Sequence, residues 1–349
     1  MKKVAIVILN WNGRKLLESF LPSVIEHSAA EYSEIIVADN GSTDGSVAFL
    51  QQRFPSVNVI SLDKNYGFAQ GYNLAMQQVD ATYAVLLNND VEVTPGWLDA
   101  PLALLDNNDA IACVQPKIRS WRNRSFFEYA GAAGGYIDRY GYPFCRGRLL
   151  HVVEEDRGQY DTPADILWAT GACLFVRTEV YRSAGGLDAR FFAHQEEVDM
   201  CWRMRCRGYR LVYTPQSTVY HVGAATLAAE NPRKTFLNFR NSLLMLYKNL
   251  PESELPRVMR IRFWLDYVAV VKFLLNGHLR DAGAVYAARR EFHRLKPSYL
   301  SVRQENIEKT TLTPIPEQMP HSLIIAFYLK GKKTYSALNP GDNPFTYVV

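Results

Sequence analysis

The chain has 349 residues, of which 48% are apolar, so it can bury one large core, with or without a smaller appended region. Its formal net charge is only +4 at pH 7, which argues against the dense basic surface of a nucleic-acid-binding protein. The five cysteines form neither a CxxC pair nor a zinc-ligand spacing, and we expect them to be reduced core residues of a cytoplasmic protein.

No segment has the pattern of a membrane span or of a signal peptide. The apolar run 4–9 is too short for a signal peptide and ends in Asn-Trp-Asn-Gly. The most apolar late segment is interrupted by Arg262, Asp266 and Lys272, so it lacks the roughly 18 to 20 uninterrupted apolar residues that a spanning helix needs.

The first half of the chain alternates short apolar runs with segments of helical period. This pattern predicts an α/β fold, a mostly parallel Rossmann-like sheet flanked by helices. The predicted strands are residues 4–9, 35–38, 57–61 and 83–87, and the predicted helices are residues 16–25, 43–53 and 68–78.

Polar residues stand where several of these strands end, at the edge where open α/β sheets bind ligands. Asp39 ends the second strand and could accept a hydrogen bond from a nucleobase, or it could be an ordinary turn aspartate. Asn88, Asn89 and Asp90 end the fourth strand. Asp90 suits a divalent cation that also binds phosphate oxygens, although an Asn/Asp turn is equally consistent with the pattern.

Residues 65–73 have the composition of a glycine-bearing ligand loop that runs into a helix. Gly67 could let a ligand approach the backbone, or it could only complete a turn. Gly71 could only allow close packing of the helix on the sheet. Both interpretations stay open from the spacing alone.

Residues 121–165 lack clean periodicity, and we expect loops and small strands that shape an acceptor site. A polar helix follows over residues 195–208. Glu196, Asp199 and Arg203 share one face, which is typical of a surface salt-bridge ladder. Glu197 points elsewhere, and its acidic neighbours would raise its pKa, which favours a general base. A lone histidine such as His221 is most often structural.

The chain becomes helical after residue 236, and we place a domain boundary near residue 240, between residues 1–240 and 241–349. Residues 257–296 hold nine Lys or Arg against three Asp or Glu. Helices that mix such basic residues with Trp264 and Leu274 can lie on an anionic membrane surface. The alternative is a helical pair packed on the catalytic domain with a solvated basic face.

Taken in order, these segments resemble glycosyltransferase family 2, in particular its bacterial rhamnosyltransferase-like members with a GT-A fold. The resemblance covers about residues 3 to 250 and rests on an ordered set of motifs. The motifs are VAIVILNWNG (4–13), IVADNGSTD (36–44), NxGxxxGxN (65–73), LLNND (86–90), ATGAC (169–173), GGL (185–187), FF (191–192), EEVDMCWR (196–203) and HVG (221–223).

The resemblance implies a role for each matching position. Asp39 would contact the nucleobase, Asp90 would bind Mg²⁺ or Mn²⁺, and His221 would meet the metal or the diphosphate. Glu197 would deprotonate the acceptor, with Glu196 as the other candidate. Substrate-binding positions are assigned to Asn10, Asp39, Asn65, Gly67, Asn73, Asn88, Asn89 and Asp199.

Two positions depart from the family pattern. Asn88 stands where the first Asp of the DxD-like motif is usual, which leaves fewer carboxylates for the ion, so we expect weak metal binding without the donor. Glu196 and Glu197 replace the usual Glu-Asp pair, so the base is one methylene longer. We favour Glu197 over Glu196 as the base.

The sequence therefore predicts an inverting, metal-dependent glycosyltransferase with a C-terminal helical extension. Its partners would be a UDP- or dTDP-sugar donor and a glycan or lipid-linked acceptor in surface polysaccharide assembly, in the cytoplasm or on the inner face of the plasma membrane. The alternatives are a non-catalytic nucleotide- or glycan-binding module and a sugar nucleotidyltransferase, although the basic glycine-rich loop expected of the latter is absent.

Overall fold

The computed structural model describes residues 2–29, 31–223, 231–342 and 345. The strands are β1 (Lys2–Asn10), β2 (Ser33–Asp39), β3 (Asn58–Ser61), β4 (Ala81–Asn88), β5 (Val91–Val93), β6 (Ile111–Ser120), β7 (Gly135–Asp138), β8 (Pro143–Cys145), β9 (Arg148–Leu149), β10 (Val152–Val153), β11 (Ala164–Asp165), β12 (Cys173–Arg177), β13 (Arg210–His221) and β14 (Gln318–Met319).

The helices follow the same chain order. They are α1 (Arg14–Glu26), α2 (Ser46–Arg53), α3 (Gly67–Gln77), α4 (Asp99–Asn107), α5 (Thr178–Ser183), α6 (Glu196–Cys206), α7 (Pro232–Asn249), α8 (Leu255–Leu275), α9 (Leu279–Leu295), α10 (Leu300–Glu308), α11 (Leu323–Tyr328) and α12 (Tyr335–Leu338). The elements predicted before residue 90 are confirmed, with small shifts at their ends.

The main sheet of the described chain has the strand order β11-β13-β6-β12-β4-β1-β2-β3, and β5 also pairs with β13. Strands β3, β2, β1 and β4 run parallel, so their carboxyl ends meet at one edge. Strand β12 is antiparallel to both β4 and β6, while β13 is parallel to β6. This order brings the end of β13 to the same side of the molecule as the end of β4.

Apolar side chains fill both faces of this sheet because residues along a strand alternate in direction. In β1, Ala5 and Val7 belong to one buried cluster, and Val4, Ile6 and Ile8 belong to the other. Unbroken apolar runs of this kind are typical of parallel strands covered by helices on both sides. The five cysteines are buried and free, as predicted.

Residues 135–153 form a second sheet with a strand from the far end of the chain. Its order is β10-β9-β8-β7-β14, and Gln318 and Met319 of β14 pair in parallel with Ile137 and Asp138 of β7. A buried bidentate ion pair holds this part of the chain to α6: Arg205 Nε and Nη2 donate to Glu317 at 2.9 and 2.8 Å.

Helix α7 is largely buried and joins the first half of the chain to the later helices. The predicted boundary near residue 240 falls inside α7, and the division into residues 1–240 and 241–349 stays a prediction. Among the residues that the structure describes, no helix combines the length and apolar composition needed to cross a bilayer.

An enclosed ionic cluster connects α6 to α7. Lys248 Nζ donates to Asp199 at 2.7 Å and to Asp188 at 2.8 Å, and Arg203 Nε donates to Asp199 at 3.1 Å. Asn249 donates to the other oxygen of Asp199 at 2.9 Å. Asp199 has no exposed surface, so the prediction of a surface salt-bridge ladder along this helix is wrong.

We expect Lys248→Met to lower the free energy of unfolding by about 3–5 kcal/mol, because it removes the one cation that two buried aspartates share, while Arg203 and Arg190 each remain beside only one of them. The matched control is Lys309→Met, which removes an exposed pair with Glu305 and should cost about 0.3–0.5 kcal/mol. Urea unfolding followed by circular dichroism measures both. Equal losses in the two variants would contradict the central role of the enclosed cluster.

We expect the same cluster to make part of the free energy of unfolding sensitive to acid. Burial would raise the pKa of Asp188, but Lys248 and Arg190 outweigh it and lower the pKa to about 2. A depressed pKa stabilises the folded state above the unfolded value of about 3.9, and this contribution is lost as the pH falls through the folded value.

Candidate active site

A row of hydrogen-bonded polar side chains lies along the carboxyl ends of β2, β1 and β4. Asn10 Nδ2 donates to Asp39 Oδ1 at 3.1 Å, and Asn89 Nδ2 donates to Asn10 Oδ1 at 2.9 Å. The other oxygen of Asp39 accepts the backbone N–H of Ser42 at 2.9 Å. Three strand ends therefore share one polar edge, as the sequence pattern predicted.

The row continues into a charged cluster at the ends of β4 and β13. His221 Nε2 lies 3.1 Å from Asp90 Oδ1 and 3.3 Å from Asn88 Nδ2. On the other side of the ring, His221 Nδ1 lies 3.3 Å from Glu128 Oε2. All four side chains are buried or half-buried. The tertiary structure thus joins Asp90 to His221, which are far apart in the sequence.

The charge of this cluster explains the state of His221. Burial by itself would lower the pKa of the imidazole, but the nearby carboxylates of Glu128 and Asp90 outweigh burial and raise the pKa to about 10. The two carboxylates therefore keep a positive charge between them. A cation bound at Asp90 would supply that charge in place of the proton, since a histidine that binds metal is neutral.

Glu128 is a residue that the sequence analysis missed. It lies in the loosely patterned segment 121–165, where no periodicity marks it, and its buried carboxylate faces His221. Gly223, two residues after His221, leaves space for the Glu128 side chain. A Cβ on Gly223 would lie 2.6 Å from Glu128 Oε1. His221 Nδ1 and Glu128 Oε2 lie within ion-pair distance without hydrogen-bond geometry, so Glu128 acts on the ring through its charge, as a carboxylate beside a metal-binding histidine can.

The residues fit a divalent cation that is shared with a ligand. Asp90 Oδ1 and His221 Nε2 converge, and both are suitable donors for Mn²⁺. Within residues 2–29, 31–223 and 231–342, no group of three or more His, Cys, Asp or Glu side chains is arranged to hold a metal. Two protein ligands leave coordination positions for water and phosphate oxygens, which agrees with the expected dependence on the donor.

Residues 192–195 form a strained turn immediately before α6. Phe192, His194 and Gln195 have positive φ angles of 65°, 71° and 72°, which residues other than glycine rarely adopt. Asn241 of α7 holds this turn through hydrogen bonds from its Nδ2 to the backbone oxygens of Phe191, Ala193 and His194 at 3.1, 2.9 and 2.7 Å. The sequence contains no motif that marks Asn241.

The strained turn presents Glu196 and Glu197 at the start of α6. Burial raises the pKa of both carboxyl groups, and the charge of Glu197 raises that of Glu196 further. Backbone N–H groups of Gly171, Glu197 and Val198 partly offset the shift of Glu197. One buried oxygen of each glutamate has no hydrogen-bond partner in the described structure. Unsatisfied buried oxygens of this kind are suited to receive a ligand.

A short path of contacts joins Glu197 to the polar row. The backbone N–H of Gly171 lowers the pKa of the Glu197 carboxyl group, and the next residue, Ala172, accepts the backbone N–H of Asn88 at 3.0 Å. Gly171 itself is packed against Phe68, since a Cβ there would lie 2.8 Å from the Phe68 ring. The structure therefore places the candidate base next to the end of β4.

Asn65 and Gly67 shape the entry to α3. Asn65 Oδ1 accepts the N–H of Gly67 at 2.8 Å, and Asn40 Nδ2 donates to the Gly67 oxygen at 3.0 Å. Gly67 has φ 77° and lies against Phe192, so a side chain would clash there. This contact connects the loop at 65–67 to the strained turn.

The structure does not bring Asn73 and Asp199 to this edge. Asn73 donates to the Leu187 oxygen at 2.7 Å and accepts the Leu187 N–H at 3.0 Å, so it supports the turn at 185–187. Asp199 is enclosed by Lys248, Arg203 and Asn249. Substrate-binding roles for these two residues stay predictions that their contacts do not favour.

The family model of Glycosyl transferase family 2 matches residues 5–179, which include the polar row, the loop at 65–67 and Asp90. The chain belongs to glycosyltransferase family 2. Two bacterial rhamnosyltransferases are similar to this chain, which confirms the predicted resemblance to rhamnosyltransferase-like members. The N-acetylglucosaminyl-diphospho-decaprenol L-rhamnosyltransferase of Mycobacterium tuberculosis is 28% identical over 62% of this chain and 75% of the relative. Rhamnosyltransferase WbbL of Escherichia coli is 24% identical over 58% of this chain and 79% of the relative.

Solved structures confirm the GT-A fold of this family 2 protein. GalNAc-T7 with UDP, GalNAc and Mn²⁺ aligns with a TM-score of 0.58 at 15% identity, over 91% of this chain and 59% of that one. Staphylococcus aureus TarS 1–349 with UDP-GlcNAc aligns with a TM-score of 0.54 at 15% identity, over 88% of this chain and 89% of that one. At these identities the likeness is one of fold.

We expect Glu128→Gln to weaken Mn²⁺ binding by about 10- to 100-fold, because the amide cannot hold the His221 ring as the carboxylate does. Electron paramagnetic resonance of free Mn²⁺ in the presence of UDP measures the affinity without turnover. The control is Glu92→Gln, which removes a carboxylate on the neighbouring strand β5 that pairs with Arg124. Unchanged Mn²⁺ affinity in Glu128→Gln would show that Glu128 does not act through His221.

Proposed function

We propose that this family 2 protein is an inverting, metal-dependent glycosyltransferase that moves a sugar from a UDP- or dTDP-sugar to a hydroxyl of a glycan or lipid-linked acceptor. The observation that carries the proposal is the row from Asp39 through Asn10 and Asn89, with the Asp90–His221 pair at its end and Glu197 linked to the end of β4 through Gly171 and Ala172. A nucleotide, a diphosphate and an acceptor hydroxyl each have a candidate partner along this row.

Glu197 is the proposed general base. Glu196 is almost fully buried, and burial together with the charge of Glu197 raises its pKa well above the usual value, which makes it the poorer proton acceptor of the two. Glu197 is half-buried and receives backbone N–H groups at the start of α6, where the helix dipole favours a negative charge. These differences support Glu197 as the residue that accepts the acceptor proton.

Asp90 and His221 would hold Mg²⁺ or Mn²⁺, which stabilises the negative charge of a departing diphosphate. Around it, Asn88 and Asn89 can donate hydrogen bonds to phosphate oxygens, and Asp39 can accept from a nucleobase N–H. Attack by the acceptor from the Glu197 side, opposite the diphosphate, inverts the anomeric configuration. This direct displacement involves no covalent sugar–enzyme intermediate.

The acceptor is proposed to be lipid-linked, in surface polysaccharide assembly on the inner face of the plasma membrane. The supporting observation is the similarity to the N-acetylglucosaminyl-diphospho-decaprenol L-rhamnosyltransferase of Mycobacterium tuberculosis. Two alternatives, a non-catalytic binding module and a sugar nucleotidyltransferase, predict different measurements. The first binds without turnover, and the second exchanges pyrophosphate with a nucleoside triphosphate.

Donor binding is the first test. We expect one of UDP-, dTDP- and GDP-sugars to raise the melting temperature in the presence of Mn²⁺ in wild type and not in Asp90→Ala, because the metal joins the diphosphate to Asp90. A donor at 100 times its Kd stabilises the folded state by about 2.7 kcal/mol. If no nucleotide sugar shifts the melting temperature under any condition, the donor-binding role of this edge is wrong.

Turnover tests the base. We expect Glu197→Gln to lower kcat by about 10²- to 10⁴-fold with donor binding retained, since an amide cannot accept the proton. The base works only when deprotonated, so wild-type activity should fall as the pH drops through an apparent pKa above the ordinary glutamate value of about 4.3. The two glutamates interact, so this pKa belongs to the pair.

Glu196→Gln is the matched comparison, because it changes the neighbouring carboxyl group in the same way. A larger loss of kcat in Glu196→Gln than in Glu197→Gln would reverse the assignment of the two glutamates. A near wild-type rate in Glu197→Gln would remove this residue from the mechanism.

A further inference from the structure

Helix α8 buries charged side chains and exposes apolar ones, the reverse of an ordinary surface helix. Its inward face carries the charged residues: Arg262 and Asp266 are buried, and Arg262 Nε donates to Asp266 Oδ1 at 3.2 Å. Arg289 of α9 completes the enclosed cluster with Asp266. The outward face of α8 is apolar over its second half. A surface helix normally has the opposite arrangement.

The outward residues of α8 follow a strict helical spacing. Arg257 and Arg260 come first, and Trp264, Val268, Val271 and Leu275 continue the same stripe at intervals of three and four residues. Trp264 is 67% exposed and Leu275 is 82% exposed. An exposed apolar stripe of this length along a helix is typical of an interaction site.

Helix α11 extends the apolar stripe sideways. Lys272 Nζ of α8 donates to the Tyr328 hydroxyl at 3.1 Å, which places the two helices next to each other. Tyr328 is about half exposed and Leu329 is 80% exposed. We call the set Trp264, Val268, Val271, Leu275, Tyr328 and Leu329 the α8–α11 surface.

The charged groups around the α8–α11 surface are basic. Arg257, Arg260, Arg280 and Lys330 are exposed on α8, at the start of α9 and after α11. The acidic groups of the same region are engaged elsewhere: Asp266 and Asp281 are buried, and Glu291 pairs with Arg294. An apolar stripe with basic neighbours complements the apolar interior and the anionic headgroups of a bilayer.

We propose that the α8–α11 surface docks on an anionic lipid bilayer, with α8 lying in the plane of the interface. Trp264 and Tyr328 are the residue types that prefer this depth, and the basic residues reach the headgroups. A second copy of the chain fits less well, because the same surface on a second copy offers no free acidic side chain to the basic residues. Docking itself does not depend on the proposed transferase function. With that function, it would bring the protein to the membrane that holds a lipid-linked acceptor.

The test uses the full chain and sedimentation with vesicles. Vesicles of phosphatidylglycerol and phosphatidylethanolamine should bind the protein at least 10-fold more tightly than phosphatidylcholine vesicles, and salt should weaken this binding. The double variant Trp264→Glu with Leu275→Glu should lose at least 10-fold in affinity. Arg257→Gln with Arg260→Gln should bind more weakly and depend less on salt.

Leu300→Glu is the control, because it changes a leucine of α10 that is about half exposed and lies outside the α8–α11 surface. Circular dichroism and donor-induced thermal shifts of each variant separate loss of docking from loss of folding or of the proposed donor site. Absence of wild-type binding to anionic vesicles would overturn the proposal. It would also be overturned if light scattering showed a dimer that the Trp264→Glu with Leu275→Glu variant abolishes.

Discussion

The arrangement of the candidate active site depends on the buried contacts of Asp199. This residue lies in α6, two residues beyond Glu197, and it binds Lys248 and Asn249 of α7 as well as Arg203 of its own helix. A buried charge is tolerable only when its partners are held in place, so α6 and α7 are fixed relative to each other. The orientation of the two candidate bases follows from that fixed pair of helices.

The later helices therefore support the candidate active site. Asn241 holds the strained turn before α6, and the next residue, Ser242, accepts a hydrogen bond from Arg262 of α8 at 2.8 Å. A membrane-docked α8 would thus be only two side chains away from the turn that presents Glu196 and Glu197. Strained turns of this kind persist where the surrounding structure over-determines them.

The other end of the site is governed by charge. Asp90 and Glu128 lie on opposite sides of His221, and the two carboxylates favour any cation between or beside them. Asn88 is neutral and lies beside the same ring, which limits the negative charge at this end of the candidate site. The amides of Asn10, Asn88 and Asn89 are polar and add no charge, so under the proposed function they would suit a diphosphate that a metal accompanies.

Much of this protein could be read from its sequence, because the information was local. The apolar runs and helical periods up to residue 90 determined the strands, and Asp39, Asn88, Asn89 and Asp90 follow directly from where those strands end. The general position of the acidic helix and of His221 was also evident in the motifs. Only the tertiary structure joined Glu128 to His221, enclosed Asp199, turned Asn73 away and brought Asn241 to the strained turn. These contacts connect residues distant in sequence, and their energies depend on burial and on charge partners that no local pattern contains.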